Sequence, residues 1–164
     1  MAKAESENGA ARARRWIARG AAGLVAAVAA IALLAVVGSA VELATTARRD
    51  VRLGGRTLSV HVADTLARRY VGLSLRSGLA DGRGMLFVYD RPRAVTFVQR
   101  GVSFAIDVVF VGTDGRVSGI GGIGGASVEA GSPGLVEAVV ELPAGWCARS
   151  GVTVGAAFED PGRP

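Results

Sequence analysis

FAIDVVFV, residues 104–111, is the stretch that decides the architecture. It is apolar throughout except for Asp107. A short continuous apolar run of this kind predicts a central strand buried in a sheet. Asp114-Gly115 follows as a hairpin turn into Arg116–Ile120, which predicts a second strand beside it.

Working outward, the same pattern of short strands recurs. Val51 and Leu53 alternate with polar residues, Gly54-Gly55 is a tight turn, and Leu58, Val60 and Val62 alternate again, which predicts a β-hairpin. Asp64 is placed to cap a short helix, with Leu66 and Tyr70 facing inward and Gly72 ending it. Residues 82–84 read as loop and Met85–Tyr89 as a strand. After a turn at Arg91-Pro92, Val95 and Phe97 begin another. Leu135–Leu142 reads as a further strand ended by Pro143, residues 144–150 as a helical turn before Gly151, and residues 152–158 as one or two closing strands. Many short strands at short spacing predict a mainly β domain with minor helices, arranged as a small sandwich or barrel. No internal repeat is visible.

The N-terminal part differs in kind. Residues 20–41 read GAAGLVAAVAAIALLAVVGSAV, with no charge and Ser39 as the one polar side chain. As a helix this segment would span about 33 Å, the thickness of a bilayer core. Trp16 and the arginines at 14, 15 and 19 precede it, as suits a headgroup region. The expected organisation is a basic tail at 1–19, a transmembrane signal anchor at 20–41, a juxtamembrane linker at 42–50, a β-rich domain at 51–158 and a tail at 159–164. The apolar run is longer than a signal-peptide core of roughly 7–15 residues, so the reading is an uncleaved anchor. The nearest arginines place the N-terminus inside and the domain outside the cell membrane.

Charge narrows the partners. Residues 1–19 carry five Lys/Arg and two Asp/Glu, residues 20–41 none, and residues 42–164 carry 14 Lys/Arg and 12 Asp/Glu. The domain therefore mixes signs, unlike a nucleic-acid binding surface, which clusters cations against phosphates. With one cysteine, Cys147, and one histidine, His61, there is no intrachain disulfide and no four-ligand N/S metal site. No cofactor is implied either. Gly119, Gly121 and Gly124 fit G-x-G-x-x-G, but no helix opens behind them, so dinucleotide binding is rejected. Residues 119–134 read as a flexible glycine-rich loop.

Four residues form the candidate polar centre: Asp107, Asp64, Arg68 and Arg69. A carboxylate inside an apolar strand is costly unless paired, so Asp107 marks either a pocket or a structural cap or ion pair, with Arg68 or Arg69 as the suggested cation. Asp64 and Arg68 have i, i+4 spacing, which suits a helix-surface pair. Glu137 and Glu141 share a strand face and read as solvated charges. His61 reads as exposed, and Cys147 as a small packed thiol behind Trp146.

Several segments occur together in a familiar order: Val62-Ala63-Asp64-Thr65, Arg69, Gly72-Leu73, Gly84-Met85-Leu86-Phe87-Val88, Ile106–Val111, Asp114-Gly115, and Glu141-Leu142-Pro143-Ala144-Gly145. Over about residues 51–158 the chain resembles the domain of unknown function 192 family, also called uncharacterised protein family 0127. The resemblance implies a small, mostly β domain, often behind a signal or membrane segment, and no established reaction. Two segments depart from the family's pattern, Phe97-Val98-Gln99-Arg100-Gly101 and Gly155-Ala156. The expected role is a membrane-tethered binding or accessory module for an envelope protein, glycan or small ligand. An apolar concave patch near Phe97, Phe104 and Trp146 would support it. The alternative is an envelope hydrolase built on Asp107 or Asp64 with an arginine.

Overall fold

A computed structural model describes Ala30, residues 48–74 and residues 76–163. The expected anchor at 20–41 and the N-terminal tail lie outside the described residues, Ala30 apart. Among the described residues no helix is long and apolar enough to cross a membrane.

The domain is mainly β. Its strands are β1 (Arg48–Leu53), β2 (Arg56–Ala63), β3 (Arg83–Arg93), β4 (Thr96–Val98), β5 (Ile106–Gly112), β6 (Val117–Ile123), β7 (Glu129–Gly131), β8 (Val136–Pro143) and β9 (Phe158–Glu159). Two short helices accompany them, α1 (Leu66–Val71) and α2 (Trp146–Ser150). Seven strands form one sheet in the order β6-β5-β8-β3-β2-β1-β9, and β4 pairs with β7 as a separate ribbon. The predicted hairpin β1–β2 turns on Gly54 and Gly55, both at positive φ. β5 lies between β6 and β8, as its apolar run requires.

The large sheet curls until its two ends meet. Val117 donates its N–H to the Ala156 carbonyl at 2.9 Å, Gly155 donates to the Val117 carbonyl at 2.8 Å, and Phe158 donates to the Gly115 carbonyl at 2.8 Å. Curling satisfies backbone groups that a flat sheet would leave open at its edge.

Two apolar clusters result, one on each face. The first gathers Val51, Leu53, Leu58, Val60, Leu86, Val109, Val111, Val140, Leu142 and Phe158, with Trp146 and Cys147 of α2 packed into it. The second gathers Met85, Phe87, Tyr89, Ile106, Val108, Phe110, Val139 and Leu73, with Phe97 of β4 and Ala130 of β7 against it. The β4–β7 ribbon is thus the cover of the second face. Phe97 meets Phe87 edge-on at 4.8 Å between ring centroids and Phe110 at 6.4 Å.

Several local expectations are corrected. Thr65, not Asp64, caps α1: its hydroxyl accepts from the Arg68 N–H at 3.2 Å. Leu66 and Tyr70 do not face inward and are 78% and 70% exposed, because a single six-residue helix rests on the sheet by other residues. Arg91-Pro92 is not a turn; β3, which begins at Arg83, runs through it, with a register shift between Val88 and Arg93. Residues 119–134 are not one long loop. β6 continues to Ile123, and β7 follows. The glycines there serve close packing: a Cβ on Gly121 would come within 2.8 Å of the Ala130 side chain, and one on Gly119 within 3.0 Å of Pro133. β1 starts three residues earlier than expected, at Arg48, and the segment after Phe158 is tied down. Arg49 donates to Asp160 at 2.7 Å, with Asp160 almost wholly buried, and Arg163 pairs with Glu137 at 2.9 Å.

A cleft floored by a buried carboxyl

The polar centre expected from the sequence divides into separate places. Asp107 is at the α2 end of the first face, where its Oδ1 accepts from the Gly145 N–H and its Oδ2 from the Cys147 N–H, both at 2.8 Å. These are the unpaired donors of a helix start, so Asp107 caps α2 and anchors it to β5. Neither Arg68 nor Arg69 is its partner, because both belong to α1 on the other side of the sheet. Asp64 is exposed and pairs with Arg68 at 2.8 Å. Burial is the largest single influence and opposes its charge, but the Arg68 hydrogen bond, a backbone hydrogen bond and the charges of Arg68 and Arg49 together outweigh it and hold the carboxyl below its ordinary value. Arg69 donates to the Asp64 and Val88 carbonyls, each at 2.8 Å, and of the four residues it alone lines a cleft.

That cleft has a volume of about 480 Å³. α1 and the segment after it form one wall, the outer half of β3 the back, and β4 with its flanks the other wall. Phe87, Tyr89, Val95, Phe97 and Val102 make it apolar within, while Arg69, Arg93 and Arg100 also line it. Each guanidinium stacks on an aromatic ring. Arg69 and Arg93 lie 5.5 and 5.7 Å from the Tyr89 centroid, and Arg100 lies 4.9 Å from that of Tyr70. Among the described residues none of these three arginines makes an ion pair.

Glu141 is on the floor. It is 6% exposed and, among the described residues, is the one charged residue that is buried as a whole. In the register it stands between Met85 of β3 and Val108 of β5, on the second face. Its Oε2 is buried and has no hydrogen-bond partner among the described residues. Burial pushes its carboxyl up to about 8, so it holds a proton at neutral pH. Burial likewise lifts the neighbouring Tyr89 phenol to about 12.

Glu141 is the residue that sequence reasoning missed. Strand alternation correctly puts Glu137 and Glu141 apart from the apolar face, but the β4–β7 ribbon covers the other face too, so Glu141 is not solvated. The signal available was that Glu141 lies between Val139-Val140 and Leu142, a run as apolar as the one around Asp107. His61 is half-buried rather than exposed. Burial, followed by Asp107, raises the Cys147 thiol to about 12, so it stays a thiol. Trp146 lies in the first cluster and Phe97 and Phe104 against the second, so the expected joint patch is divided by the sheet. Among the described residues no cluster of His, Cys, Asp or Glu is placed to hold a metal.

Fold and cleft together define a small, mainly β domain whose curled sheet carries a ribbon-covered pocket on one face. Residues 49–159 match the family DUF192, described as Uncharacterized ACR, and the chain belongs to it. Three solved chains are similar, two of them as follows. One, from Sinorhizobium meliloti 1021, is described as a candidate transcription regulator and has 31% identity and a TM-score of 0.65, covering 72% of this chain and 97% of its own. The other, a protein of unknown function from Novosphingobium aromaticivorans DSM 12444, has 30% identity and a TM-score of 0.64, covering 68% of this chain and 84% of its own. No curated protein matches.

Proposed function

We propose that this protein is a binding module: a membrane anchor at residues 20–41 holds the β domain on the outer side, and the domain takes a small ligand in the Glu141 cleft. The observation that carries the reading is the buried Glu141 carboxyl, whose Oε2 has no partner among the described residues, at the floor of a cleft lined by aromatic and aliphatic side chains and three arginines. An unsatisfied polar group inside a protein costs roughly 1–3 kcal/mol, which is hard to account for unless something else uses it. The volume lies within the range of small-molecule sites, roughly 300–1,000 Å³. An envelope location is supported by the uncharged length of residues 20–41 and the basic residues before it.

The geometry favours binding over hydrolysis at Asp107 or Asp64. Both oxygens of Asp107 are engaged as a cap, and Asp64 is paired outside the cleft. Nor does the description of the Sinorhizobium relative suggest a DNA site here, since the 14 Lys/Arg of residues 42–164 are interspersed with 12 Asp/Glu. The test uses the full chain in nanodiscs, exposed to a library of small metabolites and followed by NMR. Ligand-dependent shifts should gather at Phe87, Tyr89, Phe97 and Glu141. Shifts confined to another surface, or none from any compound, would overturn the reading. Protease added to intact spheroplasts should digest a C-terminally tagged domain; protection until lysis would reverse the orientation.

A further inference from the structure

Resting on the binding reading above, we infer that the ligand is a small organic oxyanion with an apolar body, its carboxylate or phosphate held by Arg93, Arg100 and Arg69 and its body against Phe87 and Phe97 over the Glu141 carboxyl. Three observations converge on this class. The arginines of the cleft stack on Tyr89 and Tyr70, and among the described residues no carboxylate pairs with them, which leaves guanidinium donors for an oxyanion. Arg69 is the exception in part, because its NH1 already serves the Asp64 and Val88 carbonyls, so it positions more than it binds. The interior between those arginines and the floor is aromatic and aliphatic, which suits a ring or short chain and not a second charge. The floor itself holds a carboxyl whose Oε2 lacks a partner, and burial keeps it protonated at neutral pH, so it presents a proton donor without repelling an anion.

A cationic ligand would have the opposite fit. It would meet three guanidinium groups on the way in and would need Glu141 to lose its proton. The elements packed around Glu141 carry several other charged and titratable groups. Burial holds the Tyr89 phenol on β3 up to about 12, Arg69, Arg93 and Arg100 line the cleft, Glu129 of β7 is exposed, and Glu137 on β8 is paired with Arg163. His61 of β2 lies in the same row, pairing with Met85, which pairs in turn with Glu141.

The test measures dissociation constants by calorimetry on the full chain in zwitterionic nanodiscs. The probes are benzoate, phenyl phosphate, benzylamine and benzyl alcohol, which share one ring and differ in charge. Benzoate and phenyl phosphate should bind about tenfold or more tighter than the alcohol at pH 7, with the amine weakest. In R93A/R100A, both positions being exposed, the melting temperature should hold and the anion preference should fall about tenfold. Benzoate binding should weaken from pH 7 to 9 in the native chain and stay level in Glu141→Gln, which keeps a donor but cannot ionise. Tightest binding by benzylamine, equal binding of all four, or an anion preference that survives R93A/R100A would each overturn the anion assignment while leaving the cleft as a ligand site. No binding by any probe, with library compounds also silent at Phe87 and Phe97, would overturn both.

Discussion

Asp107 and Glu141 are one step apart in register on neighbouring strands, yet they face opposite sides of the same sheet. Asp107 pairs across to Leu142, and Glu141 to Val108. On the first face the acid meets two backbone N–H groups and finishes a helix. On the second it meets apolar side chains and the floor of a cleft, with an oxygen left over. The same residue chemistry thus becomes structural where the backbone supplies donors, and available where it does not. The site that the sequence marks most loudly is the one that is already satisfied.

The largest expected effect separates the two acids by pH. Glu141 titrates at about 8 in the folded domain against an ordinary 4.5. With the folded value raised, its contribution to stability is full below about pH 4.5 and declines as pH rises to about 8, by a little over 1 kcal/mol per pH unit and about 5 kcal/mol in all. Denaturant melts from pH 4 to 9, native against Glu141→Gln, should show this slope in the native chain alone. Equal slopes would erase the contrast between the two faces.

Next in size is Asp107→Ala. It removes two charge-assisted bonds to α2 and should cost about 3 kcal/mol, lowering the melting temperature by roughly 10 °C. Asp107→Asn, with one acceptor oxygen, should fall between. If Asp107→Ala melts like the native domain, the acid is not a cap and the division of roles fails. Gly121→Ala comes third. Its Cβ would press on Ala130 and lift the ribbon, costing about 1–2 kcal/mol and loosening the cleft wall; faster amide exchange should appear in β4 and β7 and not in β1 or β2. The smallest change is expected from Leu66→Ser, since an exposed side chain gives up little on becoming polar, within about 0.5 kcal/mol.

The contrast also explains what could be read from the chain. The hairpin at Gly54-Gly55, the strand at residues 104–111, the Asp114-Gly115 turn, the helical turn after Pro143 and the family membership were all legible, because each rests on local periodicity or turn chemistry. The ribbon was not. β4 and β7 are three residues each, too short for a period, and they pair across more than 25 residues of chain. Without the ribbon, a strand's polar side reads as solvent, and Glu141 reads as an ordinary surface charge. Arg69 was named in the sequence as a candidate partner for Asp107, from which the sheet divides it. Arg93 gave no signal and Arg100 stood out only within the segment that departs from the family's pattern, since their aromatic partners Tyr89 and Tyr70 come together only in the fold.

The central claim is that Glu141 stands protonated at neutral pH on the floor of this cleft. Carbon-13 NMR of the glutamate side-chain carboxyls, native spectrum minus Glu141→Gln, across pH 4 to 10, tests it directly. The account predicts one carboxyl whose shift moves with a midpoint near 8. A midpoint near the ordinary 4.5 would mean that the floor is charged and solvated, and would contradict it.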